Sequence, residues 1–284
     1  MSRPGRVVGD RGGVFPTTGR WRTGMSASPW ERRVNALLPS SEVPPVSATS
    51  TVRRFRTLAV PLAVLTVVFL VISLPPYLGL DPAKARLPVP EDVPWFYPAL
   101  VAHIGFGSIA LLTAALQVWP WLRRTHPAVH RWSGRIYLGL GVIPGGVAVL
   151  AVAPFGQTGG PTGQVANTML ALLWLATAVA GYRAARARRF GEHREWMVRN
   201  VALTFSIVAN RPWSMLCIAV FAPEVMGTGP VDPAVLAQAA GVSMWLSWVV
   251  NLLVAEYWLH RTRTRRGVRG GPTAKHRQPV PATS

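Results

Sequence analysis

Residues 53–80 read RRFRTLAVPLAVLTVVFLVISLPPYLGL, and this stretch decides the fold. Arg53, Arg54 and Arg56 stand directly before 24 residues, 57–80, that carry no charge at all. A helix needs about 20 consecutive apolar residues to cross the hydrocarbon core of a bilayer. A helix that is apolar on every side offers no face to water and belongs in lipid or in a protein core. Arginines on one flank and Pro75-Pro76 on the other mark where such a span starts and stops.

Outward from it, the same unit recurs. Apolar segments at about 98–119, 127–154, 164–182, 196–221 and 241–259 alternate with connections of two kinds. Of the 30 Lys and Arg, 27 fall in residues 1–56, 120–135, 183–199 and 260–284, so every second connection is basic. Positive loops stay on the cytoplasmic side of a membrane. Six spans in a cell membrane, with both termini cytoplasmic, satisfy every loop. Only 14 % of the residues are charged, against roughly a quarter in a soluble domain. The net charge of +19 invites a nucleic-acid reading. A nucleic-acid footprint gathers on one folded face, however, and these charges are dispersed between apolar hairpins. The expected fold is an all-α integral membrane bundle whose partner is the lipid bilayer, with anionic head groups at its basic loops and no nucleic acid.

Residues 1–56 and 260–284 are rich in Arg and in turn-forming residues and are expected as disordered cytoplasmic tails around a transmembrane domain of 57–259. The first apolar run begins only at Thr57, which does not fit a signal peptide, and Met25 is a second candidate start. Cys217 is the single cysteine and lies in an apolar run, so no disulfide framework or CxxC site is expected.

Within this frame one motif occurs twice. His130-Arg131-Trp132-Ser133-Gly134-Arg135-Ile136-Tyr137 returns 63 positions later as His193-Arg194-Glu195-Trp196-Met197-Val198-Arg199. Each copy sits at the foot of an apolar segment, and Pro127 fits the first turn of the third span, placing His130 already on the helix. Two related hairpins sharing a site at one membrane face are expected.

Polar groups inside spans are costly and therefore informative. At 100° per residue, His103, Gly107, Ala110, Ala114 and Gln117 share one narrow face of the second span. In the third span His130, Gly134, Gly141, Gly145 and Ala148 share a face with a Gly-xxx-Gly pair, predicting close helix approach. In the fifth, His193, Asn200, Thr204 and Arg211 align, and such a stripe is expected to face the bundle interior. Depth sorts these groups into two layers. The outer layer holds His103 and Arg211. The inner layer holds His130, His193, Arg131, Arg135, Arg194, Arg199 and Gln117, with Glu256 as counter-ion to the arginines.

The assembled residues resemble the domain of unknown function 2306 family of predicted membrane proteins. The resemblance rests on His103, Gly107, Gln117, Arg123, the two His-Arg motifs, Tyr137, Trp174 and Arg211, and covers roughly residues 60–260. It implies a multi-span helical protein and little about chemistry.

Two function classes compete on the residues themselves. The first is a redox protein with haem b between helices, in which imidazoles of His130, His193 or His103 are axial ligands and the arginines pair with propionates. The second is a transporter or lipid-binding protein without redox chemistry, with a polar intramembrane site around Arg211 and Asn200. A third possibility is a structural membrane protein whose motif holds lipid phosphates through arginines at the inner face, so that Arg131 and Arg194 matter more than the histidines. The plain alternatives are histidines lying among head groups, an interhelical hydrogen bond at His103 and an Arg211 that satisfies carbonyls near Pro212. No nucleophile triad, carboxylate pair or phosphate loop supports a hydrolase or kinase.

Overall fold

A backbone placed in hydrocarbon can satisfy its polar groups only within itself, so helices are what these apolar segments must form. The computed structural model describes residues 48–226 and 232–269, and all regular structure among them is helical. Helix α1 (Ala48–Ser73) is followed by the one-turn α2 (Pro75–Leu78), which starts on the Pro75-Pro76 pair. Then come α3 (Phe96–Val118), α4 (Pro120–Thr125) and α5 (Pro127–Ile136). A π-helical segment (Tyr137–Val142) carries α5 into α6 (Ile143–Val152). The remainder is α7 (Gly160–Arg186), α8 (Phe190–Thr204), α9 (Ser206–Phe221) and α10 (Pro233–Arg269).

Four helical segments are long and apolar enough to cross a membrane: Phe96–Val118, Pro127–Phe155, Gly160–Arg186 and Pro233–Thr264. The bent pair α8–α9 makes a fifth when taken as one span. In α1 the apolar part is the shorter Ala59–Ser73. Residues 48–56 and 260–269, expected in the tails, are helical, because Arg is a good helix former and the adjoining spans supply the nucleus. Residues 1–47 and 270–284, the rest of both expected tails, lie outside the described residues.

Two irregularities shift helical phase. The π turn precedes Pro144, whose missing N–H leaves the normal ladder incomplete, and Ile143 N–H donates to Leu138 O across five residues. Between α8 and α9 the axis bends by 44° at Phe205. There the Thr204 and Ser206 hydroxyls bond back to the carbonyls of Asn200 and Leu203, at 3.0 Å and 2.6 Å, and compete with the backbone ladder. Pro212 sits inside α9, beyond the bend.

The bundle packs through small residues. Helix α3 lies along the α5–α6 span, α6 against α7, α7 against α8 and α10, and α9 against α10. Ala110 and Ala114 are fully buried, and a Cβ placed on Gly141 would lie 2.9 Å from the Ala110 backbone. The expected close approach of these two spans is therefore present. Helix α1 touches the core through Leu70, while Val64, Val67, Val68 and Val71 face outward.

Candidate functional site at the arginine-bearing end

The two motif helices start in the same register. Pro127 opens α5 and Phe190 opens α8, also 63 positions apart, so His130 and His193 are each the fourth residue of a helix. Each histidine N–H closes its first turn, His130 onto His126 O at 3.1 Å and His193 onto Arg189 O at 2.9 Å. The routes into the two helices differ. Helix α3 ends at Val118, Trp119 is extended, and the extra α4 intervenes before α5. Between α7 and α8 there are only residues 187–189. Arg188 takes φ 57°, with Arg188 N–H on Ala185 O and Arg189 N–H on Ala184 O. That is a Schellman turn with arginine in the left-handed position that favours glycine.

The three membrane histidines have different partners. His193 Nδ1 lies 2.9 Å from the carbonyl of Gly181 on α7, and His103 Nδ1 lies 2.9 Å from that of Gly145. A carbonyl only accepts, so in both rings Nδ1 carries the proton and the Nε2 lone pair of the neutral imidazole is left over. His130 differs. Its carbonyl accepts from Gln117 Nε2 at 3.0 Å, and the same amide donates to Ser133 Oγ at 2.6 Å. Its ring Nδ1 is buried and has no partner among the described residues. His193, Arg123 and Arg131 lie within Coulombic range of it.

Charged groups converge at this end from three hairpins. Arg199 makes a two-pronged pair with Glu256 of α10 and stacks over Trp196 at 4.9 Å. Arg263, beyond the expected end of the last span, pairs with Glu195. Arg194 lies 4.9 Å over Trp258 and Arg135 lies 5.0 Å over Trp132, and Arg131 is exposed. The arginines of 123–135, 183–199 and 261–263 thus share one end with only Glu192, Glu195 and Glu256 as acids among the described residues. Exposed pairs of this kind contribute roughly 0–1 kcal/mol each. Their weight lies in the surplus positive charge they leave.

Deeper in, the bundle holds a polar ring. Trp174 Nε1 donates to Thr204 Oγ1 at 2.8 Å, and Thr204 Oγ1 lies 2.7 Å from Tyr137 OH. Tyr137 donates to Asn200 Oδ1, and Asn200 Nδ2 returns to Trp174 O at 2.7 Å and to Thr177 Oγ1 at 2.8 Å. Tyr137 and Asn200 are both completely buried, and each stands seven residues beyond its motif histidine. The ring joins the two copies at equivalent positions and ties both to α7. Every side-chain polar atom in it has a partner, so it is a structural clamp with no open coordination position.

The outer layer separates. Arg211 does not reach the bundle interior: it is exposed and lies 5.6 Å over Phe69 of α1. The bend at Phe205 resets the helical phase, so the stripe of His193, Asn200 and Thr204 does not continue to Arg211. His103 is bound to Gly145 on another pair of helices. Cys217 is buried and unpaired.

Among the described residues no group of three or more His, Cys, Asp or Glu is placed to hold a metal ion. What this end offers is two imidazoles in a field of arginines. The reading from sequence missed the acceptor role of Gly181 and the Glu195–Arg263 pair. A backbone carbonyl has no signature, but the 63-residue repeat does pair Tyr137 with Asn200. No curated protein and no solved structure matches the chain. The family model described as predicted membrane protein (DUF2306) matches residues 100–259, more than half of the chain, from within α3 to within α10. The protein belongs to the DUF2306 family of predicted membrane proteins.

Proposed function

We propose that this chain crosses the cell membrane six times, with both termini cytoplasmic, and that it binds haem b in a redox role through His130 and His193. Six crossings combine the four long spans, the bent α8–α9 pair and α1, whose 26 residues extend about 39 Å by helical rise. Both termini then lie on the side of the basic loops.

The observation that carries the haem reading is the buried, unpartnered ring nitrogen of His130 beside a His193 whose own Nδ1 is already fixed. A buried polar atom without a partner calls for one. A histidine held at Nδ1 by a carbonyl is the arrangement metal-ligating imidazoles use. His130 and His193, at equivalent positions on two clamped helices, would hold the iron, and Arg123 and Arg131, within Coulombic range of His130, would balance the propionate charge. Haem would supply a one-electron couple, and the chain would supply ligation and charge compensation.

The test is the absorption spectrum of detergent-purified protein, oxidised and dithionite-reduced. A Soret band with reduced α and β bands is expected, and it should vanish in His130→Ala and in His193→Ala. A flat spectrum after expression with added haem, or a band that survives both replacements, overturns the reading. A second reading, a lipid-binding protein without redox chemistry, draws on the surplus of arginines over Glu192, Glu195 and Glu256. In that reading the anionic partner sits at the basic end, since Arg211 lies on the outside of the bundle.

A further inference from the structure

Helices α7 and α8 leave a groove of about 570 Å³ between them on the outside of the bundle. Its long wall is apolar, formed by Leu175, Ala176, Val179 and Ala180 of α7, and its floor on α8 is Trp196. At the end nearest the α7–α8 turn it is bounded by Arg183, Arg189 and Glu192. We propose that this groove is a binding site for one anionic phospholipid, with an acyl chain along the α7 wall and the phosphate at Arg183. The proposal rests on the membrane reading and is independent of haem.

Three observations lead there. The wall belongs to one of the four long spans, and Leu172 and Val179 on the same helix are exposed, so this side of α7 meets hydrocarbon. A groove open to hydrocarbon offers water no hydrogen bonds along its length, and a lipid chain is the apolar filler the bilayer supplies. The mouth is cationic. Glu192 is engaged by Arg189 at 2.8 Å, a local pair three residues apart. No ion pair involves Arg183 among the described residues, and Arg186 and Arg188 follow it directly. A guanidinium donates to phosphate through two parallel N–H groups, which makes arginine the fitting residue at this end.

The experiment is native mass spectrometry of the full chain, delipidated in detergent and then offered phosphatidylglycerol or phosphatidylcholine. The wild type should retain one phosphatidylglycerol in preference to phosphatidylcholine. Arg183→Gln should lower phosphatidylglycerol retention about fivefold, the worth of one arginine at a membrane surface. Arg183→Lys should keep part of it. Ala176→Phe, which fills the groove from an exposed position, should displace both lipids. Arg124→Gln, exposed on the other hairpin, should leave retention unchanged. Equal retention of the two lipids by the wild type, or unchanged phosphatidylglycerol binding in Arg183→Gln, overturns the site. So does an equal loss in Arg124→Gln, which would assign the effect to total charge. Gln is a good helix former at an exposed helix end, so Arg183→Gln decides the matter even if Ala176→Phe fails to fold.

Discussion

The helices that begin at Pro127 and Phe190 carry their His-Arg pair in the same register, with the Trp and the next Arg one residue later in the second copy, yet their histidine rings have different partners. In the second copy the ring is bound, to Gly181 of the helix just before it, because the short 187–189 turn brings α7 directly alongside. In the first copy α4 intervenes, Gln117 takes the backbone carbonyl instead, and the His130 ring nitrogen is left alone. The arginines differ as well. Arg199 has Glu256 opposite it on α10, whereas Arg135 has only the Trp132 ring beneath it among the described contacts. One copy is fastened through its polar groups, and the other keeps a polar atom in reserve. A repeated motif therefore does not imply repeated hydrogen-bond partners.

Substitutions can break or sharpen that contrast. The largest effect is expected from making the first copy resemble the second at the position 63 residues before Thr204, with Gly141→Thr. Its Cβ would lie 2.9 Å from the Ala110 backbone, and overpacking of this kind costs about 3 kcal/mol. A large fall in the thermal midpoint of the detergent-purified protein is expected, with aggregation on size exclusion. A midpoint within a degree or so of wild type would show that the two spans do not pack as described.

Next comes the clamp between the copies. Asn200→Leu keeps the volume but leaves Tyr137 without its acceptor, at a cost of about 2 kcal/mol. Paired with Tyr137→Phe in a double-mutant cycle, it should show a coupling of about 0.6–1.7 kcal/mol, the range for hydrogen bonds between membrane helices. Additive effects would mean that the bond contributes nothing.

The smallest effect separates the two histidines most directly. His193→Phe frees the Gly181 carbonyl and should lower stability by about 0.6 kcal/mol. His130→Phe removes a buried nitrogen that has no partner, so without ligand it should be neutral or slightly stabilising. Measured on colourless protein, the thermal midpoint of His193→Phe should fall below wild type and that of His130→Phe should lie at or above it. The reverse order would contradict the assignment of ring partners.

Much of this was legible in the sequence because lipid imposes simple rules. Charge-free length and alternating basic loops located the helices, and Pro127 marked the start of α5. Small residues on one face located a close contact between spans, that of Ala110 with Gly141. Depth arithmetic brought Gln117 to His130 and Glu256 to Arg199. What failed did so where the helix departs from 100° per residue. Arg211 belongs to its stripe only on a straight helix, and the bend at Phe205 turns it outward. The Glu195–Arg263 pair is invisible in the sequence because composition places Arg263 in a tail and does not show that α10 continues to Arg269. In the sequence Tyr137 belongs to a motif and Asn200 to a stripe. Their meeting required two helices of equal depth to face each other.

The ring through Tyr137, Asn200, Thr204 and Trp174 also sets an order of events during synthesis. Tyr137 enters the bilayer 63 residues ahead of Asn200, so its hydroxyl travels for that interval without its final acceptor. Trp174 arrives in between with its indole N–H equally unanswered until Thr204 appears. The early spans thus carry donors whose final partners arrive only with α8. The last polar partner to emerge, Thr204, is also the last residue before the bend, so completion of the bundle and placement of the hinge occur in the same step.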